Sequence, residues 1–352
     1  MTRAAMEGVR AMNALPHTLR YEQLATYHVP FDELAGGTEV EGELTHWLAR
    51  RGRVALIGPS GSGKSSALAW ALEHNAPERL IPLRIPIALA DDDTVQSAAG
   101  FARHVIRRVI AAARLGEREA ADLRARAADV ARRRQPGRKR SARLGVHAGV
   151  VSGELAREVS RAGDEFEEQI GAGEVVEALQ RLVELFRARD SDPVLVLDDT
   201  DTWIARPHDA HPAQLADAFF ARNVRMLVSE IDCAFVVAVH TSYLDLSAYR
   251  EVAPRLERIH VPQLPNPETD LAKILARRFE ASGLDAALAD VFEPAALTVL
   301  VHLYEDLPDV RRAIATAASA VRLALDDDEI NRVTPAAVRA AAAERTEERG
   351  ES

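Results

Sequence analysis

Val54-Ala55-Leu56-Ile57-Gly58-Pro59-Ser60-Gly61-Ser62-Gly63-Lys64-Ser65-Ser66 is the stretch on which the rest of the chain turns. Four apolar residues in a row, with no polar interruption, fit a strand buried on both faces. The next eight match G-x-x-x-x-G-K-[ST] in full, and a helical pattern runs from Ser65 to His74. Strand, glycine-rich turn and helix in that order make a phosphate-binding loop. The residue types follow from the chemistry. Gly58, Pro59, Ser60, Gly61, Ser62 and Gly63 form the loop, and its glycines let backbone N–H groups approach phosphate oxygens without Cβ atoms in the way. The start of the helix, with Lys64, Ser65 and Ser66, adds the positive end of its dipole. Lys64 brings a mobile ammonium to the β- and γ-phosphates, and the Ser65 hydroxyl is a ligand for Mg²⁺. A nucleoside triphosphate is the expected ligand.

A phosphate loop needs an acidic partner at the end of another buried strand. Val194-Leu195-Val196-Leu197-Asp198-Asp199 supplies one. Asp198 is placed to hold Mg²⁺ through water, since that ion keeps much of its hydration shell. Asp199 is placed to polarise the attacking water; Asp201 has a weaker case for a role in the site, with capping of the following segment as the alternative. A third apolar run, Ala234–Val239, ends in His240-Thr241-Ser242. Ligands gather at the C-terminal ends of parallel strands, so His240 or Thr241 could orient that water, or simply cap the strand.

The remainder is consistent with such a core. The chain has 352 residues, 47% of them apolar and 28% charged, enough for a sizeable core and about two domains. Aromatics are only 5%, so Ala, Leu, Val and Ile must fill that core. One cysteine, Cys233, excludes a disulfide framework and a thiolate-rich metal site, and is expected to pack as a small apolar residue. Trp47, Trp70 and Trp203 read as packing anchors. No apolar run approaches the ~20 residues of a membrane span, and the first residues lack the apolar core of a signal peptide. A soluble, cytoplasmic protein is expected.

Residues 1–38 read as a mixed lead-in, followed by a short helix from Glu39 to Arg51. Leu80–Ala88 has strand character, although Pro82 and Pro86 favour an edge or irregular strand. Helical patterns cover 94–134, a stretch up to about Arg189, and Ala213–Val228. After Leu264-Pro265-Asn266-Pro267 they continue over 268–282, 293–304, 309–325 and 335–347. Alternating strands and helices followed by an all-helical tail predict an α/β fold. Its core is a parallel sheet with a P-loop, and a helical lid follows. Three regions are expected: a lead-in over 1–50 that contacts the nucleotide, an ATPase core over 51–264, and the lid over 265–352.

The order of these motifs, with Pro254-Arg255-Leu256-Glu257-Arg258-Ile259 next and a helical tail last, resembles the AAA+ ATPases and their STAND- and KAP-like relatives. The resemblance covers roughly residues 28–325, with 115–170 as an insertion. It implies ATP as the nucleotide, Mg²⁺ as its metal, hydrolysis as the reaction and self-association as the working state. Phe31-Asp32-Glu33-Leu34 through Leu48 is similar to the segment that contacts adenine in that family, without its usual arginine. Arg255 stands where clamp-loader and origin-recognition types place an arginine finger that reaches a neighbouring subunit's γ-phosphate. Asp309-Val310-Arg311-Arg312-Ala313-Ile314 is similar to the second sensor motif, which gives Arg311 a phosphate contact, with Arg312 as runner-up. Most hydrolysing members carry Asp-Glu where this chain has Asp198-Asp199. The shorter carboxylate sits ~1.5 Å further from the water, a displacement able to cost ~10²-fold in rate. The expectation is a slow ATPase that switches between nucleotide-dependent assemblies. The alternative is an ATP-sensing scaffold with negligible hydrolysis.

The net charge of −10 conceals an asymmetry, because residues 103–143 carry a local +10 and the remainder −20. Arg132-Arg133-Arg134, Arg138-Lys139-Arg140 and Arg143 form the densest cluster, within a basic helical insertion at about 100–170. Such a patch could release counterions from nucleic acid, dock on protein, or be a solvated face. No Phe, Tyr or Trp occurs in 102–164, which argues against a single-strand stacking platform. The arginine content of the insertion keeps it out of a membrane. His208 and His211 form a weak metal pair with no further ligands in a recognisable spacing.

Overall fold

The sheet has five parallel strands in the order β2-β3-β4-β1-β5. They are β1 (Arg53–Ile57), β2 (Leu80–Pro86), β3 (Asp192–Asp198), β4 (Ala234–Val239) and β5 (Glu257–His260). The computed structural model describes residues 2–16, 18–87, 92–111, 174–203, 212–327 and 329–350. The basic cluster Arg132–Arg143, most of the expected insertion, and His208 and His211 lie outside the described residues.

Burial explains the strand order. All seven residues of β3 and all six of β4 are buried, as unbroken apolar runs should be in the middle of a parallel sheet. β2 pairs with β3 from Leu80↔Asp192 to Pro86↔Asp198 and lies at one edge, where Pro82 and Pro86 cost no ladder hydrogen bond. β5 forms the other edge and was not legible as a strand. Of its four residues only Ile259 is buried, so the sequence carries almost no apolar signal there. β4 pairs with β3 on one side and stands next to β1 on the other. The polar residues after β4 therefore leave the sheet between the ends of β3 and β1.

The chain forms two compact units. The first comprises Met1–Leu44, Ile57–Asn75 and His260–Ser352. Here the lead-in opens with a helix, Thr2–Ala11, whose Met6 and Val9 are buried with Leu275, Phe279, Phe292 and Ile314. Arg3 fixes its position by donating to the carbonyls of Leu325 (3.1 Å) and Asp327 (2.9 Å), at the exposed end of the Val310–Leu325 helix. That helix buries Ile314, Ala317, Ala320, Val321 and Ala324, one stripe at three- and four-residue spacing. Arg278 stacks 5.5 Å over the Tyr27 ring and donates to the Pro16 carbonyl; burial lowers its pKa to about 10.

The second unit comprises Thr45–Leu56 and Ala76–Ile259 and holds the sheet. The Val175–Arg187 helix buries Val175, Ala178, Leu179, Leu182, Val183 and Phe186. The helical run 212–230 carries a π-helical stretch, Phe219–Val224, at its centre. The wider turn places Phe219, Phe220, Asn223 and Val224 all in the interior, and Asn223 donates to the Val95 carbonyl at 2.6 Å. Among the described residues no helix is long and apolar enough to cross a membrane.

Candidate nucleotide-binding site

The phosphate loop belongs to the first unit. Gly61 and Gly63 adopt φ of +70° and +94°, a left-handed backbone that L side chains rarely enter. Gly63 is the residue before the Lys64–Trp70 helix, so its backbone turns the chain from strand direction into helix direction. Gly58 and Ser62 are buried; Pro59, Ser60, Ser65 and Ser66 are half-buried. Lys64 is only 5% exposed, and its Nζ donates to the carbonyls of Gly58 (2.9 Å) and Pro59 (2.8 Å). The ammonium thus lies on carbonyls of its own loop, which a more strongly accepting phosphate can replace.

The lead-in reaches this loop through Phe31, whose ring lies 3.6 Å from where a Cβ of Gly63 would stand. A buried polar cluster holds Phe31 there. The Glu41 carboxylate accepts from the Phe31 N–H at 3.2 Å and from His28 Nε2 at 2.6 Å, with Glu41 3% and His28 7% exposed. A second carboxylate, Asp270, is fully buried and accepts from the N–H groups of Ala35 (2.9 Å) and Asn266 (3.0 Å). Lys273 donates to the Glu33 carbonyl. Sequence reasoning missed His28, Glu41 and Asp270. The only signal was chemical, since a polar residue inside an apolar pattern must find partners when buried.

The sensor-like segment lies in the same unit. Asp309 caps the Val310–Leu325 helix, its Oδ1 accepting from the Arg312 N–H at 2.9 Å. Arg311 is exposed in the first turn and Arg312 half-buried beside it.

The acidic strand end belongs to the second unit. Asp198 closes β3 and is 2% exposed, while Asp199 follows with φ of +63°. A non-glycine residue in that region costs ~1 kcal/mol and turns the carboxylate away from the strand line. Arg84 of β2 meets it there, Nη2 to Oδ2 at 2.9 Å, and lies 4.0 Å from Asp198. Nothing in the local sequence marks Arg84 as a site residue; the β2–β3 register brings it there. Thr200 Oγ1 donates to the Ala238 carbonyl at 2.6 Å, and Tyr243 Oη to the Thr200 carbonyl at 3.1 Å. These bonds tie the ends of β3 and β4 together. Burial, and then the charge of Asp201, push the Tyr243 hydroxyl pKa up, so it stays a donor. Of the water-orienting candidates, Thr241 is exposed. His240 Nδ1 accepts from the Ser242 N–H at 3.1 Å, which leaves the ring proton of a neutral imidazole on Nε2. Arg255 is exposed in a short turn, with Nη1 donating to Ser229 Oγ at 3.0 Å.

The remaining candidates have structural surroundings. Trp70 stacks on His74 with ring centroids 4.8 Å apart. Cys233 is buried, donates to the Pro193 carbonyl, and has its pKa pushed up to about 12 by burial.

Strand order, loop and the helices that follow define an α/β fold: a parallel sheet with a phosphate loop after β1, followed by a helical region. Among solved structures, the chain is similar to the ORC2 protein of Aeropyrum pernix in ADPNP–ADP complexes. The TM-score is 0.50 at 17% identity, over 90% of this chain and 69% of that one. The ADP form of the same protein matches with a TM-score of 0.49 at 16% identity, over 87% and 67%. No protein-family model matches the chain, and no curated protein does.

Proposed function

We propose that this chain binds ATP with Mg²⁺, hydrolyses it slowly, and uses the two nucleotide states to favour different assemblies. The loop itself carries the proposal: two left-handed glycines lead from a buried strand into a helix, with a buried lysine ammonium on the loop's inner carbonyls. The similar fold of a protein known with ADPNP and ADP agrees with an adenine nucleotide.

In this scheme the loop N–H groups and Lys64 hold the β- and γ-phosphates, and Phe31, beside Gly63, would meet the base. Mg²⁺, when bound, neutralises phosphate charge and orients the leaving oxygen. Ser65 would ligate it directly and Asp198 through water. The donors suit this metal: one serine hydroxyl and one buried carboxylate leave the remaining positions to phosphate and water, on which Mg²⁺ relies. Asp199 polarises the attacking water, His240 Nε2–H or Thr241 orients it, and Arg311 and a second copy's Arg255 meet the charge that develops on phosphate.

Slow turnover has a specific geometric reason. Asp199 Oδ2 is engaged by Arg84 Nη2 at 2.9 Å, so that oxygen must leave the ion pair before it can take a hydrogen bond from the attacking water. The same contact favours a second reading, a nucleotide-sensing scaffold with almost no hydrolysis. The basic segment Arg132–Arg143 would then meet DNA or a protein partner. Steady-state phosphate release measured against protein concentration separates the two. Specific activity that rises with concentration supports an assembling ATPase completed by Arg255 in trans. Flat turnover at the background rate supports the scaffold.

A further inference from the structure

Asp309 does two things at once. Its Oδ1 caps the Val310–Leu325 helix, accepting from the Arg312 N–H at 2.9 Å. The same carboxylate lies directly on the phosphate loop. A Cβ at Gly61 would stand 2.0 Å from Asp309 Oδ1, 2.5 Å from Cγ and 3.2 Å from Oδ2. Helix capping explains the first contact and says nothing of the second. The turn that delivers the side chain is itself braced, the Asp309 N–H donating to the Leu307 carbonyl at 2.8 Å. Gly61 therefore lacks a side chain for two reasons, its φ of +70° and the carboxylate packed against it. A carboxylate is a small anion, and the loop it touches is built to receive phosphate oxygens.

We propose that Asp309 competes with the terminal phosphate of a nucleoside triphosphate for the phosphate loop. Triphosphate binding then displaces the Asp309 carboxylate from Gly61, while Arg311 in the next turn of chain remains available to the phosphates. The inference rests on the nucleotide-binding function proposed above. Its physical content is like-charge repulsion over a few ångströms, which grows with the charge of the ligand. A ligand moves a conformational equilibrium only by its differential affinity for the two states. A triphosphate is repelled more than a diphosphate by the seated carboxylate, so the two nucleotides set different populations of the seated and displaced Asp309 side chain. Asp309 is in this sense a determinant of triphosphate-against-diphosphate selectivity.

The test is a pair of titrations of the full chain with fluorescent ATP and ADP analogues in Mg²⁺, for wild type and Asp309→Asn. Asparagine caps a helix as well as aspartate and carries no charge. The expected result is triphosphate affinity about tenfold tighter in the variant, with a much smaller change for diphosphate. A purely structural role would move both affinities by the same factor or neither, and either outcome overturns the proposal. Asp309→Ser serves as a second variant with a capping hydroxyl, and the same selectivity shift is expected from it. If neither nucleotide binds to wild type or variants, the nucleotide-binding function falls and the competition with it. If both bind with unaltered selectivity, only the competition falls.

Discussion

The phosphate loop and the acidic strand end are built in opposite ways. Gly58 to Ser65 are consecutive, and their geometry is set by two left-handed glycines and a lysine that bonds carbonyls five and six residues away. The strand end takes its shape from distant chain. Asp199 is held by Arg84, 115 residues earlier, and the backbone after Asp198 is tied to β4 by Thr200 and Tyr243. A local device keeps its function wherever the chain places it. One assembled from a neighbouring strand can be adjusted by a single substitution far away in sequence, which suits a control point on turnover.

Substitutions at four residues and one labelling experiment bear on that contrast, from the largest expected effect to the smallest. Lys64→Ala should raise the Kd for ATP roughly 1000-fold, about 4 kcal/mol, in a fluorescence titration, because a buried charge-assisted contact is lost. Glu41→Ala should cost about 3 kcal/mol in urea unfolding, since it strips the acceptor from His28 and from the Phe31 N–H in a buried setting. Glu41→Gln keeps an acceptor and should cost less; equal losses would mean that packing, not polarity, fixes the lead-in.

At the strand end, Asp199→Asn should slow phosphate release about 30-fold while leaving the Kd for ATP within about twofold. A matching loss of affinity would assign Asp199 to binding instead. Arg84→Ala should change stability by less than ~1 kcal/mol, because the pair is about one-third exposed on both sides. Its readout is turnover, expected to rise a few-fold as Asp199 is released; a fall would make Arg84 a partner in catalysis rather than a restraint. Cys233, with its pKa raised to about 12, should resist alkylation by iodoacetamide at pH 8 until the sheet opens. Labelling that runs ahead of global unfolding would show that the sheet unit opens separately from the loop unit.

Legibility in the sequence follows the same division. β1, β3 and β4 were readable because buried parallel strands are unbroken apolar runs; Pro82 and Pro86 left β2 as an edge or an irregular strand, and it lies at an edge. The long helices after Pro267 were readable from their helical patterns. β5 was not, with one buried residue in four, and neither was the Thr2–Ala11 helix, whose Met6 and Val9 gain meaning only against Phe279 and Phe292. Within the site, the consecutive motif announced itself. His28, Glu41, Arg84 and the seat of Asp309 on Gly61 did not, because each depends on a partner that only folding supplies.

The central claim is that ATP binds at the phosphate loop, and hydrogen exchange of the loop amides tests it most directly. With Mg²⁺-ATP the amides from Ser60 to Ser66 should exchange markedly more slowly in wild type, and not in Lys64→Ala. Unchanged exchange over those residues in wild type, with ATP present at saturating concentration, would contradict it.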